Sequence, residues 1–114
     1  MTKNSKYGLF AISGVLTFAF GAAGLSKMAG AEMMVATFDA IGWGQWFRYV
    51  TGAIEVGSAV LLWVPGMQWI GAGLLTATMI AAVLFHILLI GPSFVPALVL
   101  GILSFVVLIA RRPA

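Results

Sequence analysis

The sequence has 114 residues, of which 8% are charged and 62% are hydrophobic. A soluble domain carries about 25% charged residues, so a water-soluble domain is excluded and lipid is the expected solvent. The net charge of +3 forms no basic stripe, because four of the six basic residues lie at the two termini, and nucleic acid is therefore not an expected partner.

Four apolar segments are predicted to be membrane-spanning helices, each of which needs about 20 mostly apolar residues. In chain order they cover about residues 8–25, 47–63, 68–89 and 93–110. Pro65-Gly66 ends the second segment, Gly91-Pro92 ends the third, and Arg111-Arg112 ends the fourth. The predicted fold is all-α: an integral membrane four-helix bundle that forms a single transmembrane domain over residues 1–114.

The first segment also has features of a secretory signal. Lys3 and Lys6 precede the apolar run, and Ala29-Gly30-Ala31 follows it. The apolar core of a signal is usually about 7–15 residues long, and this run is longer. We therefore predict an uncleaved first membrane helix.

The connection between the first two predicted spans is long and covers about residues 26–46. A short segment in it is predicted to form a helix on the membrane surface. Its residues are Met33, Met34, Ala36, Thr37 and Phe38. Trp43 and Trp46 follow, and their indole rings are expected at the membrane interface.

The basic residues at the termini predict the orientation of the chain. An even number of spans places both termini on one side, and that side carries four lysines and arginines. Positive charge next to membrane spans favours the cytoplasm. Both termini are therefore predicted to be cytoplasmic, and residues 26–46 are predicted to face outward.

Four ionisable residues fall in the outer half of the predicted bundle: Lys27, Arg48, Glu55 and His86. Arg48, Thr51 and Glu55 share one helix face, because they are spaced i, i+3 and i+7. Glu55 lies about 10 Å deeper than Arg48 at the helical rise. An acid inside a membrane helix is costly and normally faces a partner or a cavity, so we expect Lys27 or His86 to contact Glu55.

Two interpretations of this polar set remain open. The first is a structural contact that fixes the helix register. The second is a ligand or proton site that opens to the outer face. A metal site at His86 is not predicted, because three further protein ligands are hard to find. The absence of cysteine excludes thiol chemistry, and the single histidine excludes a bis-histidine haem within one subunit.

Three motifs resemble the DoxX-like family along nearly the whole chain. They are Gly24-Leu25-Ser26-Lys27, the run GWGQWFRYVTGAIE from Gly42 to Glu55, and the run TMIAAVLFH from Thr78 to His86. Lys27, Arg48, Glu55 and His86 match the polar positions of the family. The resemblance implies a four-helix, multi-pass protein of the bacterial inner membrane. Some relatives are linked to membrane oxidoreductase complexes, which implies oxidoreductase subunits as partners and a quinone as the cofactor to consider.

Three functions are compatible with the sequence. The leading hypothesis is a small-molecule-binding or accessory membrane subunit with a polar pocket near the outer face. Its ligand would place a ring among Trp43, Trp46 and Phe47, and would direct oxygens toward Arg48, Glu55 and His86. The alternatives are a component of a quinone-dependent membrane oxidoreductase and a small proton-coupled transporter, although Glu55 lies nearer one face than a transporter site would. Catalytic activity and a homo-oligomer both remain open.

Overall fold

The computed structural model describes residues 2–90 and 94–113, apart from the side chain of Ile90. These residues form α-helices and no strand, which confirms the all-α class. The helices are α1 (Lys3–Ala29), α2 (Glu32–Ile41), α3 (Trp46–Leu61), α4 (Gln68–Phe85) and α5 (Val95–Arg111). A π-helical turn, His86–Ile90, continues α4.

The described residues contain five α-helices, whereas hydropathy predicts four. The helix that is not one of the four predicted spans is α2, which forms in the long connection between α1 and α3, where the sequence predicts a short helix. Glu32 lies in its first turn, where a negative charge is favourable. Gly42 ends it in the left-handed conformation, at a φ of 82°. Ten residues are too few to cross a bilayer, so α2 adds a helix without adding a span.

The ends of the long helices follow from local signals that hydropathy does not contain. α1 begins five residues before the predicted segment, because the Thr2 side chain accepts a hydrogen bond from the backbone of Ser5. α1 ends at Ala29, and Gly30 follows it in the left-handed conformation with a φ of 74°. α5 begins at Val95 with Pro96 in its first turn. The predicted start of that segment, Ser93, lies outside the described residues.

Within residues 2–90 and 94–113, two helices are long and apolar enough to cross a membrane. They are α1, with 27 residues, and α4 with most of its π-helical continuation, which gives 22 residues over Gln68–Leu89. α5 is also apolar but has 17 residues, and α3 has 16. Many large apolar side chains point outward, including Phe18, which is 81% exposed. An exposed apolar surface of this kind suits contact with lipid.

The core lies between α1, α3, α4 and α5. Its buried apolar residues are Leu9, Leu16, Phe20, Ala59, Leu62, Ala72, Leu75, Met79, Ala97 and Val107. α1 and α3 approach most closely at Gly24 and Gly52. A Cβ atom on Gly24 would lie 2.9 Å from the Gly52 carbonyl oxygen, and a Cβ atom on Gly52 would lie 2.9 Å from the Gly24 carbonyl oxygen. Small residues allow such close contact between membrane helices.

Candidate functional site

The centre of the candidate site is an ion pair between α1 and α3. The Nζ atom of Lys27 lies 2.6 Å from Oε1 of Glu55, and the side chains are 13% and 1% exposed. The lysine side chain passes over Gly52, since a Cβ atom there would lie 3.0 Å from the Lys27 Cβ. The close helix contact at Gly24 and Gly52 therefore gives the lysine its path to the deeper carboxylate.

The side chain of Arg48 binds the backbone of the same lysine. Arg48 is 5% exposed, and its guanidinium donates a hydrogen bond to the carbonyl oxygen of Lys27 in the last turn of α1. A cation at this position also interacts favourably with the helix dipole. The Tyr49 ring centroid lies 4.3 Å from Cζ of Arg48, within the range of a cation–π contact. Arg48 thus fixes the end of α1 rather than contacting Glu55.

Gln45 connects this arrangement to α2. Its Oε1 atom accepts a hydrogen bond from Nε of Arg48 at 2.8 Å. Its Nε2 atom donates to Oδ1 of Asp39 at 2.8 Å and to the carbonyl oxygen of Val35 at 3.1 Å. Sequence reasoning missed Gln45, although an amide three residues before a buried arginine at a helix start is a usable signal.

A cavity of about 530 Å³ lies beside the ion pair, between α1, α2, α3 and α4. Four predicted site residues line it: Lys27, Thr51, Glu55 and His86. The remaining lining is largely apolar and consists of Met33, Met34, Thr37, Phe38, Ile41, Phe47, Ile54, Leu74, Ala77, Thr78, Met79, Ala81, Ala82 and Phe85. Apolar walls with a few polar groups are typical of small-molecule sites.

Trp43 and Trp46 are not among the residues described as lining this cavity. The two residues are 54% and 62% exposed. Trp43 packs from outside on the rings of Phe47 and Phe85, at centroid distances of 5.1 and 5.2 Å. The structure therefore places phenyl rings in the wall, with Trp43 supporting them and Trp46 against Phe47 at 5.7 Å.

His86 lies on the same cavity but makes no ion pair with Glu55 in the described part of the chain. Its Nδ1 atom lies 2.8 Å from the carbonyl oxygen of Ala82. Because a carbonyl oxygen only accepts, Nδ1 carries the hydrogen, and Nε2 remains for another partner. The residue also opens the π-helical turn, a conformation often found at functional sites.

The described residues contain no group of three His, Asp or Glu side chains placed to hold a metal ion. Chemically, the site offers one paired ammonium, one imidazole nitrogen and several hydroxyl groups beside an apolar volume. Such a set can orient a small molecule by hydrogen bonds.

The comparisons with known proteins yield a family but no close relative. A sequence profile described as the DoxX-like family matches residues 11–110. This range includes every residue that lines the cavity. Neither curated proteins nor solved structures gave a match.

Proposed function

Because the chain belongs to the DoxX-like family, we propose that it is a multi-pass membrane protein that binds an amphipathic small molecule in the cavity beside Lys27 and Glu55. It would act as a binding or accessory subunit in the bacterial inner membrane. Family membership and the apolar helices support a membrane protein.

In this proposal α1, α3, α4 with its π-helical turn, and α5 cross the membrane as a four-helix bundle. α2 lies at the outer surface and both termini are cytoplasmic. Two facts support this arrangement. The side chains of Lys3 and Lys6 are exposed at one end of α1, and α5 ends at Arg111, which Arg112 follows. Arg48, near the start of α3, contacts the last turn of α1 and so lies at the end of the bundle opposite Lys3 and Lys6.

The observation that carries the binding function is the cavity itself. Its volume of about 530 Å³ lies within the range of about 300–1,000 Å³ that small-molecule sites occupy. Phe38, Phe47 and Phe85 would contact the apolar part of a ligand. Lys27 and His86 would contact its polar atoms. A buried ion pair that served only to fix register would not require an adjoining cavity with polar groups on its wall.

A quinone-like molecule has the required combination of a polar ring and an apolar chain. Any electron transfer would involve partner subunits, because the sequence has no cysteine and a single histidine. We therefore propose the quinone-linked role as an accessory one.

Filling the cavity tests the proposal. The purified protein in lipid nanodiscs is titrated with decylubiquinone and, separately, with its reduced form decylubiquinol while tryptophan fluorescence is recorded, since Trp43 packs on two rings of the cavity wall. Ala81 lines the cavity, and Ala81→Phe is expected to abolish saturable quenching. Ala53 is exposed on α3 and is not among the lining residues, so Ala53→Phe is the matched control. Equal quenching of both variants, or none in the parent protein, would argue against binding in this cavity.

Replacing the acid separates the functional interpretation from the structural one. Glu55→Gln is expected to raise the dissociation constant of the ligand by a larger factor than it lowers the equilibrium constant for folding of the bundle. The measurements are the same titration and a detergent unfolding curve. Loss of folding with unchanged binding in the folded fraction would favour a purely structural ion pair.

A further inference from the structure

We infer that the ligand of this cavity is an uncharged, hydroxyl-bearing apolar molecule, such as an alkylphenol or the reduced, quinol form of a quinone-like molecule. The inference rests on the proposed binding function and specifies its ligand class. It follows from the charges and the unused hydrogen-bonding capacity of the cavity wall.

The charged groups on the wall neutralise each other. Lys27 and Glu55 face one another at 2.6 Å, so the pair contributes no net charge. Arg48 is not among the described lining residues, and its guanidinium is held by Gln45 and by the backbone of Lys27. A charged ligand would therefore bring an uncompensated charge into a largely apolar volume, which is costly. An uncharged ligand avoids this cost.

Three threonines of the wall have already used their hydroxyl hydrogens. Thr37 donates to the carbonyl oxygen of Met33, Thr51 to that of Phe47, and Thr78 to that of Leu74, each at 2.8 Å. A hydroxyl group has one hydrogen and two lone pairs. These three side chains can therefore accept a hydrogen bond from a ligand but have no hydrogen left to donate.

His86 adds a fourth acceptor. Its Nδ1 hydrogen is directed to the carbonyl oxygen of Ala82, so in the uncharged form of the ring Nε2 carries a lone pair. Among the described lining residues, the ammonium of Lys27 is the side-chain group with hydrogens to spare, because it has three and meets one carboxylate. The wall is thus rich in acceptors and poor in donors.

A hydroxyl group matches this wall better than a carbonyl or an ether oxygen does. Its hydrogen can be donated to a threonine oxygen or to His86, while its oxygen accepts from Lys27. Sites arranged to hydrogen-bond a substrate hydroxyl discriminate strongly against analogues that lack it, because their buried polar groups are left unpaired. Phe38, Phe47 and Phe85 supply aromatic contact for the rest of the molecule.

Three probes that share one apolar chain test this inference in nanodiscs: 4-heptylphenol, its methyl ether 4-heptylanisole, and the anion 4-heptylbenzoate. Binding is measured by tryptophan quenching, with empty nanodiscs subtracted to remove simple partitioning. The phenol is expected to bind about tenfold more tightly than the ether, and the benzoate more weakly than the phenol. An ether that binds as tightly as the phenol, or a benzoate that binds best, overturns the inference and leaves the binding function standing. Absence of saturable binding by all three overturns both.

Variants of the wall identify the acceptors. Replacing Thr37, Thr51 and Thr78 by Val and His86 by Phe in one protein removes these four acceptors and is expected to lower the preference for phenol over ether strongly. Retained ether binding shows that this variant is folded. Thr76→Val is the matched control, because Thr76 makes the same kind of hydrogen bond, to Ala72 at 2.7 Å, but lines a different groove. A preference as large as that of the parent protein after the fourfold replacement contradicts the inference.

Discussion

The contact between α1 and α3 differs in kind from the contact between α4 and α5. α1 and α3 are joined by the Lys27–Glu55 ion pair, and a second bond runs from Arg48 to the backbone of Lys27. α4 and α5 meet through apolar side chains, and an apolar groove of about 380 Å³ lies between them. The hydroxyl of Ser104, although fully buried, donates to Leu100 of its own helix and links nothing to α4.

The difference shows two roles that helix contacts have in such a bundle: one contact provides buried area, and the other fixes the register of the helices. Apolar packing between α4 and α5 provides contact area, and it tolerates small changes in shape. Polar groups between α1 and α3 have directional partners, so they permit one register and penalise others. The candidate ligand cavity adjoins the directional contact, because Lys27 and Glu55 line it.

The largest expected effect on stability comes from removing one of the two partners of the ion pair. Lys27→Met leaves Glu55 buried without its counter-charge, and we expect a loss of about 3–5 kcal/mol in the free energy of unfolding. Detergent denaturation followed by circular dichroism measures it. The combined Lys27→Met and Glu55→Gln protein is expected to recover most of the loss. Losses that simply add in the double variant would show that the two side chains are not coupled.

A smaller effect is expected where the two helices approach closely. Gly52→Ala would place a Cβ atom 2.9 Å from the Gly24 carbonyl oxygen, and we expect it to lower stability by about 1–3 kcal/mol. Gly57 lies on the same helix, and a Cβ atom there would have no neighbour within 4 Å, so Gly57→Ala should be neutral or stabilise by up to about 1 kcal/mol. Similar thermal stabilities of the two variants would mean that the close approach of α1 and α3 does not restrict the side chain at position 52.

The smallest expected effect on stability comes from removing the hydroxyl group of Thr17 or that of Ser104. Thr17 Oγ1 accepts a hydrogen bond from Nε1 of Trp63 at 2.6 Å and so links α1 to the residues that follow α3. We expect Thr17→Val to cost about 0.5–1.5 kcal/mol. Ser104→Ala removes a bond within one helix and should cost less, with unchanged ligand binding. Equal unfolding free energies for the two variants would show that the hydrogen bond between Thr17 and Trp63 stabilises the protein no more than the bond within α5 does.

Much of the fold can be predicted from the sequence because membrane solvent imposes simple rules. Long apolar runs and the Pro and Gly residues between them indicate where helices form and stop. The acid at Glu55 indicates a buried partner, and the sequence narrows that partner to Lys27 or His86. Choosing Lys27 requires knowing that α1 and α3 touch at Gly24 and Gly52, which is a property of packing rather than of local sequence.

The role of Arg48 illustrates what the sequence does not reveal. Its partner is a backbone carbonyl of Lys27, and every residue has such a carbonyl. The cavity is similar in this respect, because it arises where α2 folds back so that Phe38 and Ile41 face α3 and α4. A short helix is predictable from its composition, but the side of the bundle that it covers depends on the turns at Gly30 and Gly42.

The double attachment of Lys27 has a consequence for how the chain can be altered. Its backbone is tied to Arg48 and its ammonium to Glu55, and these two contacts lie seven residues apart on α3. One inserted residue between them would turn the second contact by about 100° relative to the first. This stretch therefore has a fixed length, whereas the turn at Pro65 and Gly66, which is exposed, is where a reporter or an added loop can enter without disturbing either contact.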